Sequence, residues 1–425
     1  MWTNVKDKAL QERARQVIPN GMYGHESIAS QPDDYPQFFT KASGTRLWDA
    51  DGNEYIDLMC AYGPNLLGYG HPLVREAVLK QLDLADTCTG PGPVMVQLAE
   101  DFVSMVTHAD WAVFCKNGSD ATSMAMVTAR AYKGRKKILV ARNAYHGSSP
   151  WNTPSSAGIV AEDRAHVIYF DYNDLDSLEA AVALAKDDIA GIFATPFKHE
   201  TFADQADPFP EYAKGVRAIC DRIDALLIID DVRAGFRLAR DCSWSTVDVE
   251  PDLSCWGKVI GNGQPISALL GADKARSAIS SIFVTGSFWF SAVPMAAAVA
   301  TLKLVRETDY LEKLKSTGAL FRNTLAAQAK SFGFSLRQTG PVQMPMVLFD
   351  DDPDWRLGYH WCRIAMKHGA YLSPYHNMFM NAAMTEKDIA MVMEATGIAF
   401  EDLKKNRDTI KPPEKLGALK RLLAS

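Results

Sequence analysis

Residues 189–194 read Ile189-Ala190-Gly191-Ile192-Phe193-Ala194, a helical pattern follows near 211–222, and residues 226–231 read Leu226-Leu227-Ile228-Ile229-Asp230-Asp231. Short β-rich runs separated by a helix predict parallel strands joined by a right-handed crossover. The pattern extends toward the N-terminus. Trp111–Cys115 is followed by a helix over about 119–133, then by Lys136–Val140, His166–Phe170 and a helix from about 174. Strands alternating with helices place the chain in the α/β class, with a mostly parallel central sheet covered on both faces. Such sheets bind ligands beyond the carboxyl ends of their strands. The loops after Cys115, Val140 and Ile229, and the turn around residue 257, are therefore where chemistry is expected.

Toward the chain ends the pattern changes. An amphipathic helix is expected over 5–17, then a hairpin of Thr45–Trp48 and Tyr55–Leu58 turning at Asp51-Gly52, then two helices within 72–107. From about 303, helices near 309–330 and 355–368 flank strands at Pro345–Phe349 and Ala370–Leu372, and a last helix starts near Thr385. The hairpin has no sheet partner close in sequence, so it is expected to pack on the C-terminal region. The expected organisation is an N-terminal segment over 1–65, a large domain over 66–302 and a smaller α+β domain completed by 303–425.

The 425 residues carry 45 Lys+Arg against 51 Asp+Glu, a net charge of −6, with 47% apolar and 23% charged residues. That composition excludes a mainly disordered chain, and the lack of a basic cluster argues against nucleic-acid binding. No apolar run is long enough to span a bilayer, and residues 1–8 lack a signal-peptide core, so no membrane partner is expected. Seven cysteines at scattered positions, without a Cys-x-x-Cys pair, argue against a disulfide framework or a zinc site. A cytoplasmic enzyme is the expectation.

The loop Lys116-Asn117-Gly118-Ser119-Asp120-Ala121-Thr122 runs from a strand into a helix. Free backbone N–H groups and the positive end of a helix dipole there suit a phosphate, though Asn117 or Ser119 serving only as a cap is the commoner role. Asp120 opposes an anion unless its carboxylate turns away. The second loop, Asn143 to Trp151, offers Tyr145 for stacking on a planar group, while a lone loop histidine such as His146 is more often structural. In the third, Asp230 and Asp231 emerge from a buried strand and require partners. A paired-carboxylate metal site lacks further ligands at suitable spacing, so no metal is expected. Arg237 pairing with Asp231 would leave Asp230 to face the site. In the fourth, Lys258 sits between an apolar strand and Gly261-Asn262-Gly263. Burial would lower its pKa and give a neutral amine able to form an imine, although most lysines are simply solvated. Together the four loops fit pyridoxal 5′-phosphate: a lysine, a carboxylate for the pyridine nitrogen, a phosphate cradle and flat groups about the ring.

The order and spacing of Asn117-Gly118-Ser119-Asp120-Ala121-Thr122, Tyr145-His146-Gly147, Asp230-Asp231-Val232 with Gly235-Phe236-Arg237, and Gly257-Lys258 resemble class III aminotransferases of fold type I. The likeness runs from about residue 12 to about 400. Tyr62-Gly63-Pro64-Asn65-Leu66-Leu67-Gly68 is similar in outline to glutamate-1-semialdehyde aminomutase. The resemblance implies that Lys258 is the catalytic residue and forms the Schiff base, that Asp230 pairs with the pyridine nitrogen, and that Val232 and Tyr145 cover the ring faces. Gly118 and Ser119 would hold the phosphate, completed by Gly286 and Ser287 from the neighbouring subunit of a homodimer with shared active sites.

Three departures bear on the substrate. Asp231 stands where the family usually has Glu, and Phe288-Trp289-Phe290-Ser291-Ala292 brings large rings beside the partner's site. No Arg occurs between Arg15 and Arg46, and none in 373–379, where relatives hold a substrate carboxylate. A site lined by Tyr62, Phe288, Trp289 and Phe379 favours a bulky or long-chain amine. Asp231-Val232-Arg233, Phe288-Trp289-Phe290-Ser291 and the run from Glu250 to Lys258 resemble bacterial aminotransferases acting on hydrolysed fumonisin, an amino polyol, with pyruvate as acceptor. An aminomutase or ammonia-lyase would share the same cofactor residues, and stoichiometric alanine separates it from a transaminase. A catalytically silent scaffold is the third reading, opposed by the intact Lys258 and Asp230.

Overall fold

The structure, a computed structural model, describes residues 2–416. Its centre is a seven-stranded sheet whose strands, named by first residue, lie in the order Trp111, Ser267, Leu253, Leu226, Ile189, Lys137, Val167. Every strand is parallel to its neighbours except Ser267–Gly271, which runs antiparallel to both Trp111–Cys115 and Leu253–Trp256. That inserted strand was not foreseen from the sequence. Being antiparallel, it delivers its first residue, Ser267, to the edge where the other six strands end, opposite Cys115.

Strands Ile189–Ala194, Leu226–Asp230, Leu253–Trp256 and Ser267–Gly271 are buried along their whole length. Their continuous apolar runs follow from coverage on both faces. Leu227 and Ile229 join a core containing Phe236, Trp244 and Trp256. Leu226 and Ile228, alternating with them, pack instead with Met124, Ala125 and Ala129 of helix Gly118–Lys133. Each such side chain contributes about 1.5–3 kcal/mol by burial, which fixes the strand's register and hence the position of Asp230 at its end.

A second sheet joins the chain ends. Phe39–Ser43, Arg46–Asp49 and Glu54–Asp57 form an antiparallel meander, and Ala370–Tyr371 adds to it in parallel, Ala370 opposite Ile56. The hairpin's sheet partner is thus the short strand Ala370–Tyr371 of the C-terminal region. Helices Arg356–Lys367 and Glu386–Asn406 pack together there, with the Trp361 and Phe400 rings 5.4 Å apart. Among the described residues no helix is long and apolar enough to cross a membrane.

Candidate active site

A cavity of about 800 Å³ opens at the carboxyl edge of the central sheet. The four loops singled out in the sequence all reach it, contributing Gly118, Ser119, Tyr145, Asp230, Val232 and Lys258, and Tyr62 enters from the N-terminal segment.

Ser119 lies in the first turn of helix Gly118–Lys133, where backbone N–H groups have no partner within the helix. The Asp120 carboxylate turns back, Oδ2 accepting from the N–H groups of Asn117 (2.9 Å) and Lys116 (3.3 Å). It therefore caps the helix without opposing an anion at its mouth. Ser119 Oγ accepts from the Ser148 N–H at 2.9 Å, and Thr122 Oγ1 donates to the His146 carbonyl at 2.6 Å, binding the first two loops together. Glycine is required at both contact points. A Cβ on Gly118 would lie 2.7 Å from Val232 Cγ1, and one on Gly147, at φ +110°, would lie 2.5 Å from Ser119 Oγ.

Asp230 ends its strand with both oxygens engaged: Oδ2 meets His146 Nδ1 at 2.7 Å and Oδ1 accepts from the Val232 N–H at 3.1 Å. His146 is buried against Phe193 and nearly parallel to the Trp151 ring. Sequence reasoning treated it as structural; its ring instead orients the carboxylate that faces the cavity. The expected Asp231–Arg237 pair does not form. Asp231 accepts from the Ser243 N–H at 2.8 Å and from the Ser243 hydroxyl, and burial pushes its carboxyl up to about 7. Arg237 donates to the carbonyls of Gly63 and Met380, both at 2.6 Å, and lies over the Phe379 ring. Carbonyls 174 and 143 residues away in sequence outcompete the nearby acid because the Asp231 side chain points toward Ser243.

Lys258 follows strand Leu253–Trp256 with φ +45°, an unfavourable backbone state for a side chain of this kind. Asn262 pins the turn by accepting from the Leu67 N–H (2.8 Å) and donating to the Gly68 carbonyl (3.0 Å). Burial, and then the positive charge of Arg233, bring the Lys258 amine down to about 7, with Asp230 acting in the opposite sense. A large fraction is thus neutral and nucleophilic near neutral pH.

Tyr62 closes a turn in which Cys60, Ala61 and Tyr62 have φ of 48°, 54° and 62°, followed by Gly63 at 113°. Consecutive left-handed residues of this kind are rare. Asp57 holds the turn from below, accepting from the Met59 N–H (2.7 Å) and the Tyr69 hydroxyl (2.6 Å). The Tyr62 hydroxyl donates to the His25 carbonyl at 2.7 Å and accepts from Gln31 Nε2.

Not every expected substrate residue reaches this cavity. Phe379 is fully buried and is absent from the lining, its ring 3.1 Å from where a Gly63 Cβ would stand. Gly286, Ser287, Phe288 and Trp289, expected to serve the partner's site, lie outside their own chain's cavity, and Phe288 is 66% exposed. His25, Glu26, His199 and Arg233 do line it. His25, Glu26 and His199 carry no signal of spacing or composition in the sequence.

These residues fit pyridoxal 5′-phosphate. The glycine-tight cradle at Gly118, Ser119 and Gly147 suits the phosphate, the His146-oriented Asp230 suits a protonated ring nitrogen, and Lys258 is an amine of depressed basicity.

The chain is similar to known proteins along nearly its whole length. The family model described as Aminotransferase class-III matches residues 27–385. Aminopentol aminotransferase of Sphingopyxis macrogoltabida is 58% identical over 412 residues, 97% of this chain and 98% of that protein. The 3-aminobutyryl-CoA aminotransferase of Cloacimonas acidaminovorans is 32% identical, covering 94% and 98% of the two chains. Among solved structures, the PLP internal aldimine form of the FumI protein of Sphingopyxis sp. MTA144 superposes with a TM-score of 0.95 at 58% identity, covering 96% of this chain and 98% of that one.

Proposed function

This chain belongs to the class-III aminotransferases, and on that footing we propose that it transfers the amino group of a long-chain or bulky primary amine to pyruvate, giving a ketone and alanine. An amino polyol of the aminopentol type is the favoured donor. The observation that carries this reading is the 58% identity, across 97% of the chain, to an aminopentol aminotransferase. The departures at Phe288-Trp289-Phe290 and the missing N-terminal and C-terminal arginines support a donor without a carboxylate.

Lys258 is the catalytic residue in this reading. Its Nζ removes a proton from the donor carbon bearing nitrogen and returns one to the acceptor carbon in the second half-reaction. Pyridoxal 5′-phosphate, when bound, supplies the conjugated ring that draws off the electron pair of that carbon. Asp230, aligned by His146, would keep a proton on the cofactor's ring nitrogen, Val232 and Tyr145 would lie against its ring, and Gly118 and Ser119 would hold its phosphate. Gly286 and Ser287 complete the phosphate site of the partner in a homodimer, with Phe288 and Trp289 beside the partner's donor. The exposure of Phe283 and Phe288, at 91% and 66%, supports burial of this segment against a second copy.

The test is to incubate purified enzyme with a long-chain amino alcohol, with and without pyruvate. Without pyruvate, ketone should stop at about one equivalent per active site; with it, ketone and alanine should accumulate in equal amounts over many turnovers. Many turnovers of ketone without the acceptor would sink the proposal.

A further inference from the structure

Arg233 lies three residues beyond Asp230 and is the only arginine among the described residues lining the cavity. Its Nη1 donates to the amide oxygen of Asn377 at 2.7 Å, and no carboxylate among the described residues pairs with it. Both oxygens of Asp230 are already engaged by His146 and the Val232 N–H. Tyr145 and His199 also line the cavity, and burial holds the His199 and His376 imidazoles well below their usual range, so they stay neutral.

Arg233 is half-buried at the cavity wall, with the Asp230 charge near but no carboxylate in contact, so its desolvation is offset only in part by a neutral amide. It has five N–H donors in a planar fork matched to a carboxylate, and Asn377 accounts for one of them. Asn377 is itself fixed, buried to 2% exposure with Nδ2 donating to the Met378 carbonyl at 3.0 Å. The arginine is therefore held in place by a partner of no charge.

Resting on the aminotransferase reading above, we propose that Arg233, held by Asn377, binds the carboxylate of the keto-acid acceptor and selects such acids over uncharged ketones and aldehydes. A donor amine lacking a carboxylate leaves the guanidinium on Asn377. The acceptor, which carries one, gains a two-pronged charged contact. One cavity thereby distinguishes its two substrates by charge at a single residue.

The experiment compares wild-type holoenzyme with Arg233→Met and Arg233→Lys. The donor half-reaction is followed by cofactor absorbance with amine alone, and the acceptor half-reaction by adding pyruvate or propanal to aminated enzyme. Propanoate binding to the resting enzyme is measured by calorimetry. In Arg233→Met the reaction with pyruvate should fall at least about tenfold further than the donor half-reaction, with most of the preference for pyruvate over propanal lost. Propanoate should bind about tenfold or more weakly, and Arg233→Lys should recover part of both losses. Equal losses in the two half-reactions, or unchanged propanoate affinity, would overturn the proposal. Wild-type enzyme inert toward every amine would instead defeat the functional reading, while the propanoate comparison would still decide the role of Arg233.

Discussion

Lys258 was legible as a residue because a lysine flanked by an apolar strand and glycines has no solvent-side reason to be there. Its surroundings lower its proton affinity to about 7, burial first and Arg233 second. The sign follows directly: lowering the pKa enlarges the neutral fraction, so carbonyl capture should be fast at a pH where an ordinary lysine is protonated. Uptake of pyridoxal 5′-phosphate by the apoprotein, followed by absorbance, should rise about tenfold per pH unit up to about pH 7 and then level off. A rate still climbing at pH 9 would show an ordinary lysine. The partnerships of Arg237 and Arg233 were not legible. Each is settled by groups more than a hundred residues away, Gly63 and Met380 for one and Asn377 for the other, and no local spacing encodes them.

At the scale of elements, the parallel strands could be read because burial on both faces demands uninterrupted apolar runs, as in Ile189–Ala194 and Leu226–Asp230. Ser267-Ala268-Leu269-Leu270-Gly271 escaped because residues 257–266, with Lys258 among them, separate it from Leu253–Trp256, so Asn262-Gly263 does not join the two strands as a tight hairpin turn. The junction between the first two loops is the most sensitive contact of the site. Gly147→Ala combines a left-handed backbone with a Cβ 2.5 Å from Ser119 Oγ. We expect a loss of about 1–3 kcal/mol in urea unfolding of the apoprotein and a weaker hold on the cofactor in fluorescence titration. Unchanged stability and affinity would mean that the phosphate cradle tolerates displacement.

At the scale of the molecule, the cavity of one chain contains Lys258 and Asp230 but neither Gly286 nor Ser287. If two subunits complete each other's sites, two inactive variants should rescue one another. Lys258→Ala removes the amine, and Ser287→Glu sets a like charge against the phosphate. Each alone should be inactive. Refolded together in equal amounts they should recover about a quarter of wild-type activity, because half of the symmetric dimers are mixed and each mixed dimer has one intact site. Absence of recovery, with mixed dimers verified by mass spectrometry, would place residues 286 and 287 outside the site.

The run of left-handed residues from Cys60 to Tyr62 has a practical meaning for anyone randomising the cavity wall. Position 62 would first screen newcomers for tolerance of a twisted main chain and only afterwards for fit to whatever occupies the cavity. Valine and isoleucine would drop out of such a library for want of folding, whereas asparagine and glycine would survive. Selectivity maps drawn from that position would mistake a conformational filter for a preference in chemistry.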